Sequence, residues 1–263
     1  MTRKLSAVLP IIIFSLVSIF GIAEAETSEP ETSKQIKLPS PFSRWNGCDL
    51  ARLLYPSYNC KNCKINDKEG GSIENVAIWR EGGKTHLLAL FEKFGIGNES
   101  EIIGRVVDIA LYDIKNEELK LTVSAKEVIS YREYGSSYFD LAPYRLNSRE
   151  TAVGVRVDPG IGGSFGLEEL YLLRIKGKSF QQIFARVMMD AEYDDGYKGG
   201  LSDLLRRNSI LQVIPRASSM NDFKIVTRYY RFNNAGQEEN EIVKTTSEIW
   251  RWNQKSHEYQ LLK

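Results

Sequence analysis

The sequence predicts a mainly β protein. Antiparallel hairpins follow one another in a meander that forms a sandwich or a propeller-like sheet assembly, with minimal helix. Three observations lead there. Thr151, Val153, Val155 and Val157 alternate strictly with Ala152, Gly154, Arg156 and Asp158, the period of a strand with two unlike faces. Short turn sequences recur between such runs, at Glu81-Gly82-Gly83, Lys115-Asn116-Glu117-Glu118 and Lys176-Gly177-Lys178. Runs with a sustained helical period are scarce.

The chain opens like a secretory leader. Arg3 and Lys4 precede an apolar run over residues 5–22, and Ala23-Glu24-Ala25 offers small residues at the two positions a signal peptidase reads. Pro10, Gly21 and that site favour cleavage over a retained anchor, so residues 1–25 are expected to be a signal peptide. No later run is long enough to span a bilayer, so no membrane span is expected after cleavage. Residues 26–44 are polar, with Pro30 and Pro39, and read as a flexible linker. Residues 45–263 then form a single β-rich domain with a cysteine-containing N-terminal loop. The expected location is periplasmic or secreted. The net charge is +1, and Arg3, Lys4 and Glu24 of the leader account for it. A neutral mature chain gives no electrostatic case for nucleic acid.

The elements follow in order. Residues 49–54 make a short helical turn, with Asp49 as its cap and Pro56 as its stop. Cys48, Cys60 and Cys63 surround this turn. Export implies an oxidising compartment, so Cys48 is expected to bond Cys60 or Cys63. Cys60-Lys61-Asn62-Cys63 has redox spacing, but a redox dithiol needs a strand before it and a helix after it. Zinc would need a fourth ligand that these three thiols do not supply. From Ser72 to Phe91 the pattern is a hairpin, with His86 just inside its second strand as a surface or hydrogen-bonded residue. Strands follow over 102–114 and 119–131, where the alternation drifts near Ala125-Lys126 and predicts a bulge. Further strands are predicted at 138–146, 151–157, 170–175 and 180–189. Ser202 can cap a short helix over 203–207. Strands return at 210–214, 223–232, 242–252 and 257–262.

The segment Phe139-Asp140-Leu141-Ala142-Pro143-Tyr144-Arg145, with the glycine-rich loop and Leu172-Leu173-Arg174-Ile175 after it, resembles segments of uncharacterised secreted bacterial β-rich proteins. That resemblance implies a bacterial, periplasmic setting and no catalytic residue.

Chemistry has three places to reside. Gly162-Gly163-Ser164-Phe165-Gly166 fits the G-x-S-x-G elbow, and the order Ser164, Asp194 (or Asp190 or Asp203), His257 permits a triad. An elbow needs a strand before the serine, a helix after it and a parallel sheet beneath, and no alternating β–α pattern supplies one. Asp190, Glu192 and Asp194 place carboxylates at alternate positions before Gly196, oxygen ligands of the kind calcium prefers, although the spacing misses an EF-hand. Trp250, Trp252 and Tyr259 fall in the last hairpin, with both tryptophans on one face. They form either a surface for a glycan or protein partner, or sheet core. Asp140 and Glu150 are too ordinary a carboxylate pair to indicate glycoside chemistry.

The expected function is an exported non-catalytic binding protein. Its partner is a protein or glycan of the cell envelope, and neutralising or inhibiting an envelope-acting enzyme is its most concrete form. The alternatives are an esterase-like serine hydrolase using Ser164 and His257, and a structural envelope protein stiffened by calcium. No other cofactor is expected.

Overall fold

The computed structural model describes residues 37–66, 68–95, 105–131, 135–158, 167–193, 204–217, 219–232 and 238–262. One helix, α1 (Gly47–Leu54), precedes twelve strands: β1 (Glu69–Glu81), β2 (Lys84–Gly95), β3 (Arg105–Lys115), β4 (Glu118–Tyr131), β5 (Ser136–Arg145), β6 (Thr151–Asp158), β7 (Glu168–Lys176), β8 (Ser179–Tyr193), β9 (Leu204–Ile214), β10 (Asp222–Phe232), β11 (Glu238–Asn253) and β12 (Glu258–Leu261). They form two antiparallel sheets, β1-β2-β3-β4 and β12-β11-β10-β9-β8-β7-β6-β5. Within each sheet every strand pairs with its neighbour in sequence, and only β4 and β5 are not paired, so the predicted antiparallel meander is the observed one. The assembly is sandwich-like rather than a propeller, and neither sheet closes into a barrel.

The alternation of each strand decides its layer. In β6, Val153, Val155 and Val157 face the four-stranded sheet and pack with Leu88, Leu90, Val107 and Ile109. Ala152 faces the other way and joins Leu170, Leu172, Phe184, Phe223 and Tyr259. That second core exists because the long sheet folds back over itself. Strand β8 pairs with β9 only from Met189 to Tyr193, after which β9–β12 turn across the face of β6–β8. The outer face of β1–β4 is covered by α1 and its flanks, through Phe42, Leu50, Leu54, Tyr55 and Tyr58.

Helix α1 starts three residues before a cap centred on Asp49 would allow. Asn46 is the cap: its side chain accepts the Cys48 and Asp49 amides at 2.8 and 3.2 Å, and Asp49 accepts the Asn46 amide at 2.9 Å. Asp49 is thus the reciprocal half of a capping box. The buried Tyr112 hydroxyl donates to the Leu50 carbonyl at 2.9 Å and ties the helix to β3. Leu38 and Phe42 are buried, so packed chain begins within the stretch read as a linker. Cys48 bonds Cys60 across a separation of 12, and Cys63 is the free thiol. The C-x-x-C cysteines are therefore not paired with each other. Cys60→Ser is expected to cost about 3 kcal/mol, the chain-entropy value for a loop of this size. Urea unfolding under oxidising conditions measures it, and an unchanged midpoint would mean that packing alone holds the loop.

The short helix predicted over 203–207 is not observed. Leu204–Arg207 opens β9 and pairs with Asp190–Tyr193 of β8 on one side, while Leu205–Arg207 pair with Tyr229–Arg231 of β10 on the other. Hydrogen bonding on both sides overrides the local signal of a serine before a charged run.

Candidate functional site

Strand edges expose unpaired amide and carbonyl groups, and proteins normally cover or distort them. Here most edges are managed. The β1 edge is met by the N-terminal segment, where the Gly71 amide donates to the Cys63 carbonyl at 2.8 Å and Lys64 bridges Gly70. The β4 edge shifts register twice against β3, holds Glu127 at a φ of 57°, and donates the Ser124 amide to the Lys178 carbonyl at 3.2 Å.

The β5 edge carries an elaborate device built from the Phe139–Arg145 segment. Asp140 pairs with Gly154 and Tyr144 pairs with Ala152, so three residues of β5 stand opposite one of β6. Leu141, Ala142 and Pro143 are thrown outward and exposed. Asp140 holds the base of this bulge: it accepts the Ala142 amide at 3.0 Å, the Tyr144 hydroxyl at 2.7 Å and the Arg156 Nε at 2.6 Å. Arg156 also pairs with Glu168, which accepts the Tyr138 hydroxyl. Burial alone would raise the Asp140 pKa, but the Tyr144 and Arg156 hydrogen bonds outweigh it and hold the carboxyl below its usual range. A Cβ on Gly154 would lie 2.7 Å from the Asp140 carbonyl and 2.7 Å from the Tyr144 ring. Gly154→Ala is therefore expected to destabilise by about 2 kcal/mol, the overpacking cost where backbone cannot yield. Thermal unfolding checks this, and an unaltered midpoint would mean that the bulge moves freely.

The remaining edges are different. From Ser179 to Met188 strand β8 has β7 on one side and, among the described residues, no hydrogen-bonded strand on the other. Among the described residues strand β12 pairs with β11 alone. The two free edges face a common cleft of about 380 Å³, lined by residues 182–185 of β8, residues 258–261 of β12, and Trp250. Consecutive strand residues alternate between faces, so four in a row line one cleft only where main chain forms its wall. Ile183, Phe184 and Tyr259 are buried at its base, and Leu261 is 45% exposed at its rim.

No known protein family, curated protein or solved structure matches this chain.

Two of the three predicted binding residues, Trp250 and Tyr259, line this cleft. Pairing of Trp250 with Leu261 and of Trp252 with Tyr259 puts all four on the inner face. Tyr259 is core: its ring stacks on Phe223 at 4.0 Å and its hydroxyl donates to the Asn221 carbonyl at 2.8 Å. Burial pushes its pKa up. Trp250 and Trp252 are half-buried. Trp250 meets Phe184 edge-on at 5.3 Å, with the Arg186 guanidinium 5.7 Å above its ring. Arg186 is held by Glu248 at 2.8 and 3.1 Å. Trp252 lies beside Tyr259 at 5.5 Å, with the Arg174 guanidinium 5.7 Å from its ring. Arg174 in turn grips Glu150 at 2.8 Å through both oxygens. Each indole thus has a cation over its face and an aromatic neighbour at its side. Sequence reasoning found these aromatics but missed Arg174, Arg186, Gln182 and Gln260. Only the fold-back brings β7 and β8 beside β11 and β12.

The other candidates lie elsewhere. Ser164 and Asp194 fall outside the described residues, as does the side chain of Glu192. The strands flanking Ser164, β6 and β7, are antiparallel neighbours. His257 sits exposed in the β11–β12 turn at a φ of 58°, with its ring 6.2 Å from Trp252. Asp190 pairs with Arg207 at 3.1 Å. Among the described residues no group of three His, Cys, Asp or Glu side chains could hold a metal. Asp140 and Glu150 are separately engaged, by Arg156 and Arg174. His86 pairs with Asp113 across β2 and β3, as a satisfied residue near a turn.

Proposed function

We propose that the protein is an exported, non-catalytic binding protein that captures a protein partner in the cell envelope through the cleft between β8 and β12. Neutralising an envelope-acting enzyme is the concrete form of this role. The carrying observation is the cleft itself, walled by two free strand edges and floored by Ile183, Phe184 and Tyr259. A protein partner is favoured over a glycan because Arg186 and Arg174 each stand over one face of Trp250 and Trp252, which leaves less open ring for a sugar to stack on. The hydrolase alternative loses its structural context, since the segment after Ser164 enters the antiparallel strand β7 and not a helix. The calcium alternative draws no support from Asp190, whose carboxylate faces Arg207.

The test compares two immobilised proteins, the unaltered chain and Leu261→Lys, each exposed to envelope extract. Leu261 is at the rim, so the substitution adds charge to the cleft without emptying the core. One partner retained in stoichiometric amount by the first and lost by the second is the expected result. Equal retention by both, or none by either, overturns the reading.

A further inference from the structure

We infer that a pocket between the β5–β6 turn and the β9–β10 connection binds a phosphate monoester through Arg149 and Arg216. This pocket shares no lining residue with the cleft between β8 and β12, so it adds a second ligand site to the binding reading.

The pocket is built by two clamps. Its volume is about 420 Å³, room for a phosphate and a small molecule that carries it. Ser148 and Arg149 come from one side, Arg216 and Ser219 from the other, and Met220 is buried between them. Asn221, only 8% exposed, joins the two segments through each of its polar groups. Its backbone amide donates to the Leu146 carbonyl at 2.6 Å, and its side-chain nitrogen donates to the Arg145 carbonyl at 3.0 Å. Its side-chain oxygen accepts the Arg216 amide at 3.0 Å, and its carbonyl accepts the Tyr259 hydroxyl at 2.8 Å. Asn147 shapes the other turn. It accepts the Arg149 and Glu150 amides at 2.8 and 3.0 Å, and its Nδ2 meets the Met220 sulfur at 3.3 Å. Both arginines thus leave a backbone that is fixed before any ligand arrives, and such preorganisation lowers the cost of binding.

The charge of the pocket is uncompensated. Elsewhere Arg105, Arg156, Arg174, Arg186, Arg207 and Arg251 each pair with a carboxylate. Among the described residues the Arg149 side chain has no such partner, and no Asp or Glu lines the pocket. The two nearest acids in sequence are committed to other cations. Glu150 holds Arg174 through both oxygens at 2.8 Å, and Asp222 holds Arg251 at 2.8–3.3 Å. Arg216 reaches Asp222 only at 3.4 Å, the longest contact that carboxylate makes. Two guanidinium groups therefore share a concave site with little negative charge to answer them.

The donors select the anion. A carboxylate has two oxygens, which a single guanidinium fork already satisfies. A phosphate monoester offers three free oxygens and up to two charges. It can answer both forks and still accept a hydroxyl from Ser148 or Ser219. The ester has two possible sources, a free soluble molecule or a lipid headgroup, and both present the same group.

The experiment titrates the full chain at low ionic strength with glycerol 3-phosphate, with succinate, and with phosphatidylcholine vesicles with and without phosphatidic acid. Calorimetry reads the soluble probes and co-sedimentation reads the vesicles. Glycerol 3-phosphate is expected to bind at least tenfold more tightly than succinate. Arg149→Gln and Arg216→Gln are each expected to weaken it by at least tenfold, the scale of a charged hydrogen bond. Arg80→Gln, an exposed change in β1, should leave binding intact. Leu261→Lys should leave it intact too, so loss of the cleft and loss of this site are read separately. Arg149 is exposed and makes no side-chain pair among the described residues, so its replacement does not threaten the fold. Binding confined to phosphatidic acid vesicles, and lost in the same two variants, assigns the phosphate to a lipid. Succinate binding as tightly as glycerol 3-phosphate, no binding of either phosphate probe, or equal binding by all the variants overturns the proposal.

Discussion

Replacing Arg156 by methionine is expected to destabilise the protein by about 3–5 kcal/mol, the range for removing one partner from a buried ionic network. Methionine keeps the apolar stem and its packing, so the loss isolates the guanidinium. Two carboxylates depend on that group. Asp140 and Glu168 have side chains only 14% and 17% exposed, and Arg156 contacts both. Without it, two desolvated negative charges face each other across β5–β7, and Tyr138 and Tyr144 cannot neutralise either. The bulge that carries Leu141, Ala142 and Pro143 loses its anchor at the same time. Chemical denaturation at pH 7 measures the difference. A loss below about 1 kcal/mol, the scale of an exposed pair, would show that solvent already screens the network. Acid should expose the same network in the unaltered protein. Asp140 titrates below its ordinary 3.8, so its stabilisation is present above that value and is lost as pH falls through the lower folded pKa.

The opposite pH trend is expected from the four-stranded sheet. Glu92 is 1% exposed, and its pKa is raised from 4.5 to about 7, by burial first and by Glu74 second, against the pull of Arg105. Asp108 is fully buried and is raised from 3.8 to about 6, chiefly by burial. One oxygen of each carboxyl, Glu92 Oε1 and Asp108 Oδ2, is buried without a hydrogen-bond partner. A carboxyl that holds its proton more tightly when folded favours folding while protonated. For Glu92 that stability is fully present below about pH 4.5 and is lost as pH rises to about 7. A shift of this size is worth about 3 kcal/mol. Glu92→Gln, which imitates the protonated form, should remove most of the decline between pH 5 and pH 8 and leave the smaller part due to Asp108. Urea titrations of both proteins at the two pH values decide the matter. Parallel pH profiles would mean that Arg105 keeps Glu92 ionised throughout.

The alternation of Thr151–Val157, the glycine turns at 82–83 and 177, and the tryptophans of the last hairpin were all legible in the sequence. Strand period and turn chemistry are local properties, set within a few residues by backbone sterics and side-chain direction. Those properties determine that this is an antiparallel meander and that Trp250 and Trp252 share a face. They misread Leu204–Arg207, where two neighbouring strands decide the conformation, and they placed the helix cap at Asp49 because a capping box is reciprocal. They also placed Leu38 and Phe42 in a linker, since a polar neighbourhood does not reveal that two apolar side chains reach a core. Only the tertiary structure decided where β9 leaves β8 and folds β9–β12 back over the sheet. That departure sets the cleft, brings Arg174 and Arg186 over the indoles and leaves two strand edges unpaired. Its physical reason lies in long-range packing: Phe223 and Tyr259 bury themselves against Phe184 and Leu172, contacts between residues far apart in sequence that no local pattern encodes.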